Sequence, residues 1–219
     1  MAPRAKIVCY FDIVSPYSYI GVKLLNRYKT LWNNVDVELE PVFLAGIMSG
    51  SKNQPPATVA AKGSYMAQDL DLVSATTGIP YSFPSQFPIM TVSVMRLLIV
   101  IKKHAADKYD QCIEKDEYWA RDHDIAQKDI LLAALAPILG TSKVEEYFQM
   151  TSEKDIKQQL IDNTNKALDV GAFGAPTFIV QKAGSDEEKM FFGSDRFELM
   201  STFLGVPYPG LAFKNKSKL

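Results

Sequence analysis

The sequence predicts an α/β protein whose sheet-forming segments lie at the two ends of the chain, with a long helical insertion between them. Three observations carry this. A buried strand, a helix and a second strand follow one another before residue 44. A helix, two strands and a helix close the chain. Residues 59–164 show helical spacing and no convincing strand.

Residues 7–11 form a continuous apolar run, as expected of a central strand covered on both faces. Residues 12–14 turn. From Pro16, apolar residues recur at Ile20, Leu24, Leu25 and Tyr28, the spacing of a helix with one buried face. In VDVELEPVF, Val37, Leu39 and Phe43 alternate with Glu38 and Glu40, giving a strand with one wet side. The connection is long enough to cross over to a parallel strand. Residues 48–56, rich in Gly, Ser, Asn and Pro, read as a loop. Helical patterns follow at 94–104, 125–139 and 156–168. Strand character returns at 177–180 and 190–192, joined as a hairpin across KAGSDEEK. The last helix is capped by Ser194 or Asp195, with Glu198 completing a capping box if Asp195 is the cap. Phe197, Met200, Phe203 and Leu204 give its apolar face, and Gly205 and Pro207 end it. This order makes a thioredoxin-like fold with an inserted all-helical domain. Residues 1–58 and 165–219 form the discontinuous thioredoxin-like domain, and 59–164 the insert.

Composition narrows the function. With 219 residues, 47% of them hydrophobic, the chain can bury a sizeable core. A net charge of -1 argues against a nucleic-acid footprint. No apolar run is long enough for a membrane span, and MAPRAK lacks the apolar region of a secretory signal. Cys9 and Cys112 lie far apart, which argues against a disulfide framework and fits a reducing compartment. His104 and His123 make no ligand spacing with each other or with the cysteines, so no metal is expected, and both read as surface residues on helices.

The chemistry is concentrated in YFDIVSPYSYIG, residues 10–21. Ser15 and Ser18 stand where a strand-to-helix C-x-x-C motif would place its cysteines, so disulfide exchange is excluded. Ser-Pro is also the preferred pair for a helix cap and its first residue. Three further segments bear on the choice between capping and catalysis. Gly174-Ala175-Pro176-Thr177 precedes the penultimate strand, where a cis proline lies against the active turn of a thioredoxin-like fold. Such a bond leaves the Ala175 backbone unpaired and open to an extended peptide; the plainer reading is a strand-initiating proline. Gly193-Ser194-Asp195-Arg196 opens the last helix, where free amides and a hydroxyl bind carboxylates, Asp195 accepts from an ammonium and Arg196 grips a second acid. Asn53-Gln54-Pro55-Pro56, followed by Lys62, makes a rigid loop and a cation for a small anion. Together these suit a short peptide with a thiol, two carboxylates and an amine, and glutathione meets that description. Lowering a thiol pKa of about 8.5 by about two units takes about 2.7 kcal/mol. A helix N-terminus supplies about 0.3–2 kcal/mol, and a hydroxyl donating to the anion about 1.5–3 kcal/mol. Ser15 is therefore sufficient in magnitude, whereas a cysteine there would trap the ligand as a mixed disulfide.

With these residues the sequence resembles the kappa class of glutathione transferases, relatives of the bacterial 2-hydroxychromene-2-carboxylate isomerases. The matching stretches, YFDIVSPYSYIG, LAGIMSGSKNQPPA with Lys62, VGAFGAPT and FGSDR, span the chain in the family's order. The resemblance implies a homodimer with glutathione as cosubstrate and Ser15 as the residue that activates its thiol. It also implies glutathione contacts at Asn53, Lys62, the Ala175 backbone beside Pro176, Ser194 and Asp195, with Arg196 adjacent and Pro16 and Tyr17 lining the turn. Ala175 departs from the larger apolar residue of mammalian relatives, which widens the adjoining pocket.

The leading expectation is a transferase acting on small electrophiles, with hydroperoxide reduction alongside. One alternative is the related isomerase, to which glutathione is a true cofactor; the paired prolines after Asn53 and the full F-G-S-D-R favour the transferase. The other is a non-enzymatic binding module, which would not by itself keep Lys62, Pro176 and Ser194–Arg196 together. The chain ends on Ser217-Lys218-Leu219, a peroxisomal address read by an import receptor. The expected location is the peroxisome, with the mitochondrion or cytosol as alternatives.

Overall fold

A computed structural model describes residues 3–213; the Ser217-Lys218-Leu219 tail lies outside the described residues. The chain opens with β1 (Ala5–Phe11), α1 (Pro16–Tyr28), β2 (Val35–Pro41) and α2 (Leu44–Ser51). A single 3-10 turn at Pro56–Thr58 leads into α3 (Ala60–Thr77). There follow α4 (Val92–His104), α5 (Ala106–Ile113), α6 (Lys128–Leu139), α7 (Thr141–Met150) and α8 (Lys154–Asp169). The chain then makes β3 (Thr177–Gln181), β4 (Glu188–Phe192) and α9 (Phe197–Leu204).

The sheet order is β2-β1-β3-β4. β1 and β2 are parallel, as their crossover through α1 requires, and β3 runs antiparallel to both β1 and β4. Because strand side chains alternate, the two faces of β1 serve two cores. Ile7, Cys9 and Phe11 pack in the main core with Leu24 and Tyr28 of α1, Phe197 of α9 and Leu97 and Trp119 of the helical region. Tyr10 meets Ile47 of α2 and Ala167 of α8 on the other face. The main core is thus continuous between the sheet and the helical region, and α8 passes through residue 165 without a break.

Several expectations are corrected. Residues 44–51 are helix, so the loop expected from Met48 starts later. The glycines that suggest a loop are close-contact residues. A Cβ on Gly50 would lie 2.6 Å from Leu168 Cδ1, and one on Gly46 3.1 Å from Thr164 Cγ2, so α2 seats directly on α8. α3 is a long helix without a legible pattern, since only Met66, Leu70 and Thr77 are buried on it. The wet side of β2 is partly covered: Glu40 holds Lys102 of α4 and Asn163 of α8. Finally, α9 is capped at Arg196 without any side-chain cap bond, so neither Ser194 nor Asp195 caps it and Glu198 completes no capping box. His104 ends α4 at the surface, whereas exposed His123 sits outside any helix and bonds Glu117 through Nδ1 at 2.7 Å.

Candidate functional site

The site forms where β1 runs into α1. The Ser15 amide closes the turn onto the Asp12 carbonyl at 3.0 Å. Ser15, extended at φ -85° and ψ 121°, caps α1, and its Oγ accepts the Ser18 amide at 3.1 Å. Pro16 takes the first helical position, where no amide needs a partner. Ser15 is only 5% exposed, and its hydroxyl hydrogen is donated to the Ala175 carbonyl at 2.9 Å. Ser18 is buried too, and its own hydroxyl meets no partner among the described residues.

The Ala175–Pro176 peptide is cis, as its position suggests. The expectation of a wholly unpaired Ala175 backbone is corrected. A buried carbonyl demands a donor, and Ser15 supplies it, while the Ala175 amide meets no acceptor among the described residues. Pro176 and Ser194 converge on Gly21 of α1: a Cβ there would lie 3.0 Å from Pro176 Cγ and 3.6 Å from Ser194 Cβ. Gly193, at φ 95°, donates to the Pro176 carbonyl at 3.1 Å, which fixes the start of the Ser194–Arg196 segment. Ser194 is buried, whereas Asp195 and Arg196 are exposed and form a 3.4 Å ion pair with each other.

Asn53 joins the same neighbourhood. Its Nδ2 donates to the Phe173 carbonyl at 2.7 Å, two residues before Ala175, and its Oδ1 accepts the Gln54 amide at 2.9 Å. The Tyr17 hydroxyl donates to Asp69 Oδ2 at 2.8 Å, tying α1 to α3. Lys62 is exposed, two helical turns before Asp69, so the two share a face of α3 about 10 Å apart. Ser15, Ala175, Pro176, Ser194 and Asn53 are thereby linked through direct contacts or adjacent backbone. Lys62 is placed on the α3 face that meets Tyr17.

Asp12 is a further residue of the site, one to which no motif points. This carboxylate is fully buried, yet accepts from the Val14 amide at 3.1 Å, the Thr91 hydroxyl at 2.7 Å and the Leu44 amide at 2.9 Å. Burial raises its pKa, while the three donors pull the other way. One side chain thus fastens the turn before α1 to the first residue of α2 and to Thr91, which precedes α4. The available signal was an acid closing an otherwise apolar strand. Among the described residues no group of three or more His, Cys, Asp or Glu side chains is placed to hold a metal, and no helix is long and apolar enough to cross a membrane.

A capped helix beside a cis proline, with serines in place of the redox cysteines, is a thioredoxin-type site without disulfide chemistry. The DSBA-like thioredoxin domain family matches residues 6–205. The solved 2-hydroxychromene-2-carboxylate isomerase has the same fold, with a TM-score of 0.74 at 21% identity over 91% of this chain and 94% of its own. Glutathione S-transferase kappa 1 of Rattus norvegicus is 34% identical, and that of Homo sapiens 32%, each over 96% of both chains. The chain belongs, within the DsbA-like thioredoxin fold, to the kappa class of glutathione transferases.

Proposed function

We propose that the protein binds glutathione at the start of α1, holds its sulfur as thiolate and transfers it to small electrophiles. The observation that carries this is the buried Ser15 hydroxyl at the N-terminus of a 13-residue helix, beside Ala175. In this reading Ser15 donates to sulfur and the α1 dipole adds to the field that favours the anion. The free Ala175 amide pairs with the ligand's peptide, next to Pro176, while Pro16 and Tyr17 line the turn. Ser194 and Asp195 take the γ-glutamyl end, with Arg196 beside them, and Asn53 and Lys62 face the remaining carboxylate. The thiolate attacks the electrophilic carbon, a C–S bond forms, and the leaving group departs with its electron pair. The thiol proton goes to solvent. With a hydroperoxide as acceptor, two glutathione molecules would be oxidised for each O–O bond reduced.

Family likeness supports a homodimer, and the terminal Ser217-Lys218-Leu219 supports import into peroxisomes. The direct test is calorimetric titration with glutathione followed by assay on an activated aryl halide. Binding together with conjugate formation is the expected result. Saturable binding without turnover would leave a binding module, and absence of binding would remove the proposal.

A further inference from the structure

The Ser15 hydroxyl has one hydrogen, and the structure commits it to the Ala175 carbonyl. A carbonyl cannot donate, so the direction of this 2.9 Å bond is unambiguous. The oxygen accepts the Ser18 amide, and it has no second hydrogen to offer. Ser15 can therefore donate to a sulfur only by letting go of Ala175. Doing so strands a buried carbonyl, which costs about as much as the new bond to sulfur gains. Activation of the thiol needs a third party that satisfies the carbonyl at the moment it is released.

We infer that the ligand's own peptide N–H is that third party, so that Ser15 passes from Ala175 to sulfur only when a thiol-bearing amide occupies the site. The inference rests on the glutathione reading above. The geometry suits it. The hydroxyl and the carbonyl are neighbours, and in an N-acylated cysteine the N–H and the sulfur are separated by two carbons. One such residue presents a donor to Ala175 and an acceptor to Ser15 together. The exchange forms and breaks only hydrogen bonds: ligand N–H to Ala175, then Ser15 to the thiolate, with the thiol proton released to solvent. The site thereby selects thiols carried on a peptide. A simple thiol, or one lacking that N–H, finds Ser15 still held by Ala175 and remains protonated.

The test compares glutathione with its depsipeptide analogue, in which an ester oxygen replaces the N–H between the γ-glutamyl and cysteinyl units. Binding is read by competition calorimetry and thiol pKa by ultraviolet thiolate absorbance in the complex. The analogue is expected to bind within about a hundredfold of glutathione, because the Ser15–Ala175 bond stays intact. Its bound thiol should titrate about one to two pH units above that of glutathione. Ser15→Ala should raise the glutathione value to match and leave the analogue's unchanged. An analogue thiol as acidic as that of glutathione in the wild type would overturn the exchange, as would loss of analogue binding altogether. Failure of glutathione itself to bind would instead remove the reading on which the inference rests.

Discussion

Ser15 shows how one hydroxyl can cap a helix and also hold a distant backbone carbonyl. Its oxygen lone pair serves α1 while its hydrogen serves Ala175. Ser15→Ala should therefore lower stability by about 0.5–2 kcal/mol through the lost cap and by about 1–3 kcal/mol more through the unpaired Ala175 carbonyl, a fall of several degrees or more in melting temperature on the scale expected for this chain length. It should also cost up to about a hundredfold in conjugation rate at neutral pH by raising the bound thiol pKa. Stability loss with an unchanged thiol pKa would return Ser15 to capping alone. Gly21 carries a second residue-scale prediction. Its hydrogen leaves room for the Pro176 ring, whose Cγ would lie 3.0 Å from an added Cβ and which cannot swing aside as a long side chain would. Gly21→Ala should weaken glutathione binding and cost about 1–3 kcal/mol of stability by overpacking, although alanine is the better helix former. Unaltered affinity in calorimetry would show that Pro176 gives way without consequence.

At the scale of elements, Asp12 decides where α2 begins and hence where Asn53 ends up. One carboxylate oxygen holds Val14 and Thr91, and the other holds Leu44. Asp12→Asn keeps one accepting oxygen and turns an NH2 group toward a donor, so it breaks one side of this junction. Thr91→Val removes only the bond beside α4 and leaves the α2 side whole. Both variants should be less stable, each by about 1–3 kcal/mol. Only Asp12→Asn should weaken glutathione binding, by about tenfold, because only it releases α2 and the Asn53 contact to Phe173. Equal affinity in both variants, measured by calorimetry, would limit Asp12 to a structural role.

At the scale of the whole molecule, acid should act through the junction of β2 with the helical region. Glu38 has its pKa lowered to about 2, first by Lys6 at 2.8 Å, then by Glu40 and by Lys102. Its folded value lies below its ordinary one, so its contribution is complete above about pH 4.5 and is lost as pH falls toward about 2. Glu40, raised chiefly by burial, contributes in the opposite sense. Lys6→Met should flatten the loss of stability across that window, as read from urea midpoints at successive pH. The Lys6 and Glu38 side chains are 48% and 39% exposed, so added salt should shrink the difference. An identical acid profile in the variant would show that the pair contributes nothing. Targeting is likewise a property of the whole chain. Removing Ser217, Lys218 and Leu219 should leave glutathione affinity intact and move an N-terminally tagged protein from peroxisomes to the cytosol. Cytosolic fluorescence of the intact protein would end the targeting proposal.

The sequence by itself determined what depends on near neighbours in the chain. The apolar run of β1, the helical spacing after Pro16, the Ser-Pro cap and the crossover to β2 all follow from local period and turn chemistry. So does the exclusion of disulfide exchange at Ser15 and Ser18. Tertiary structure decided what depends on distant partners. Residues 44–51 are a helix because Asp12 receives the Leu44 amide and α8 fits against Gly46 and Gly50. The fate of the Ser15 hydrogen was equally beyond local reading, since its acceptor lies 160 residues away. Composition records which groups can bond or approach closely. Only the folded chain, by excluding water from both partners at once, decides which ones must.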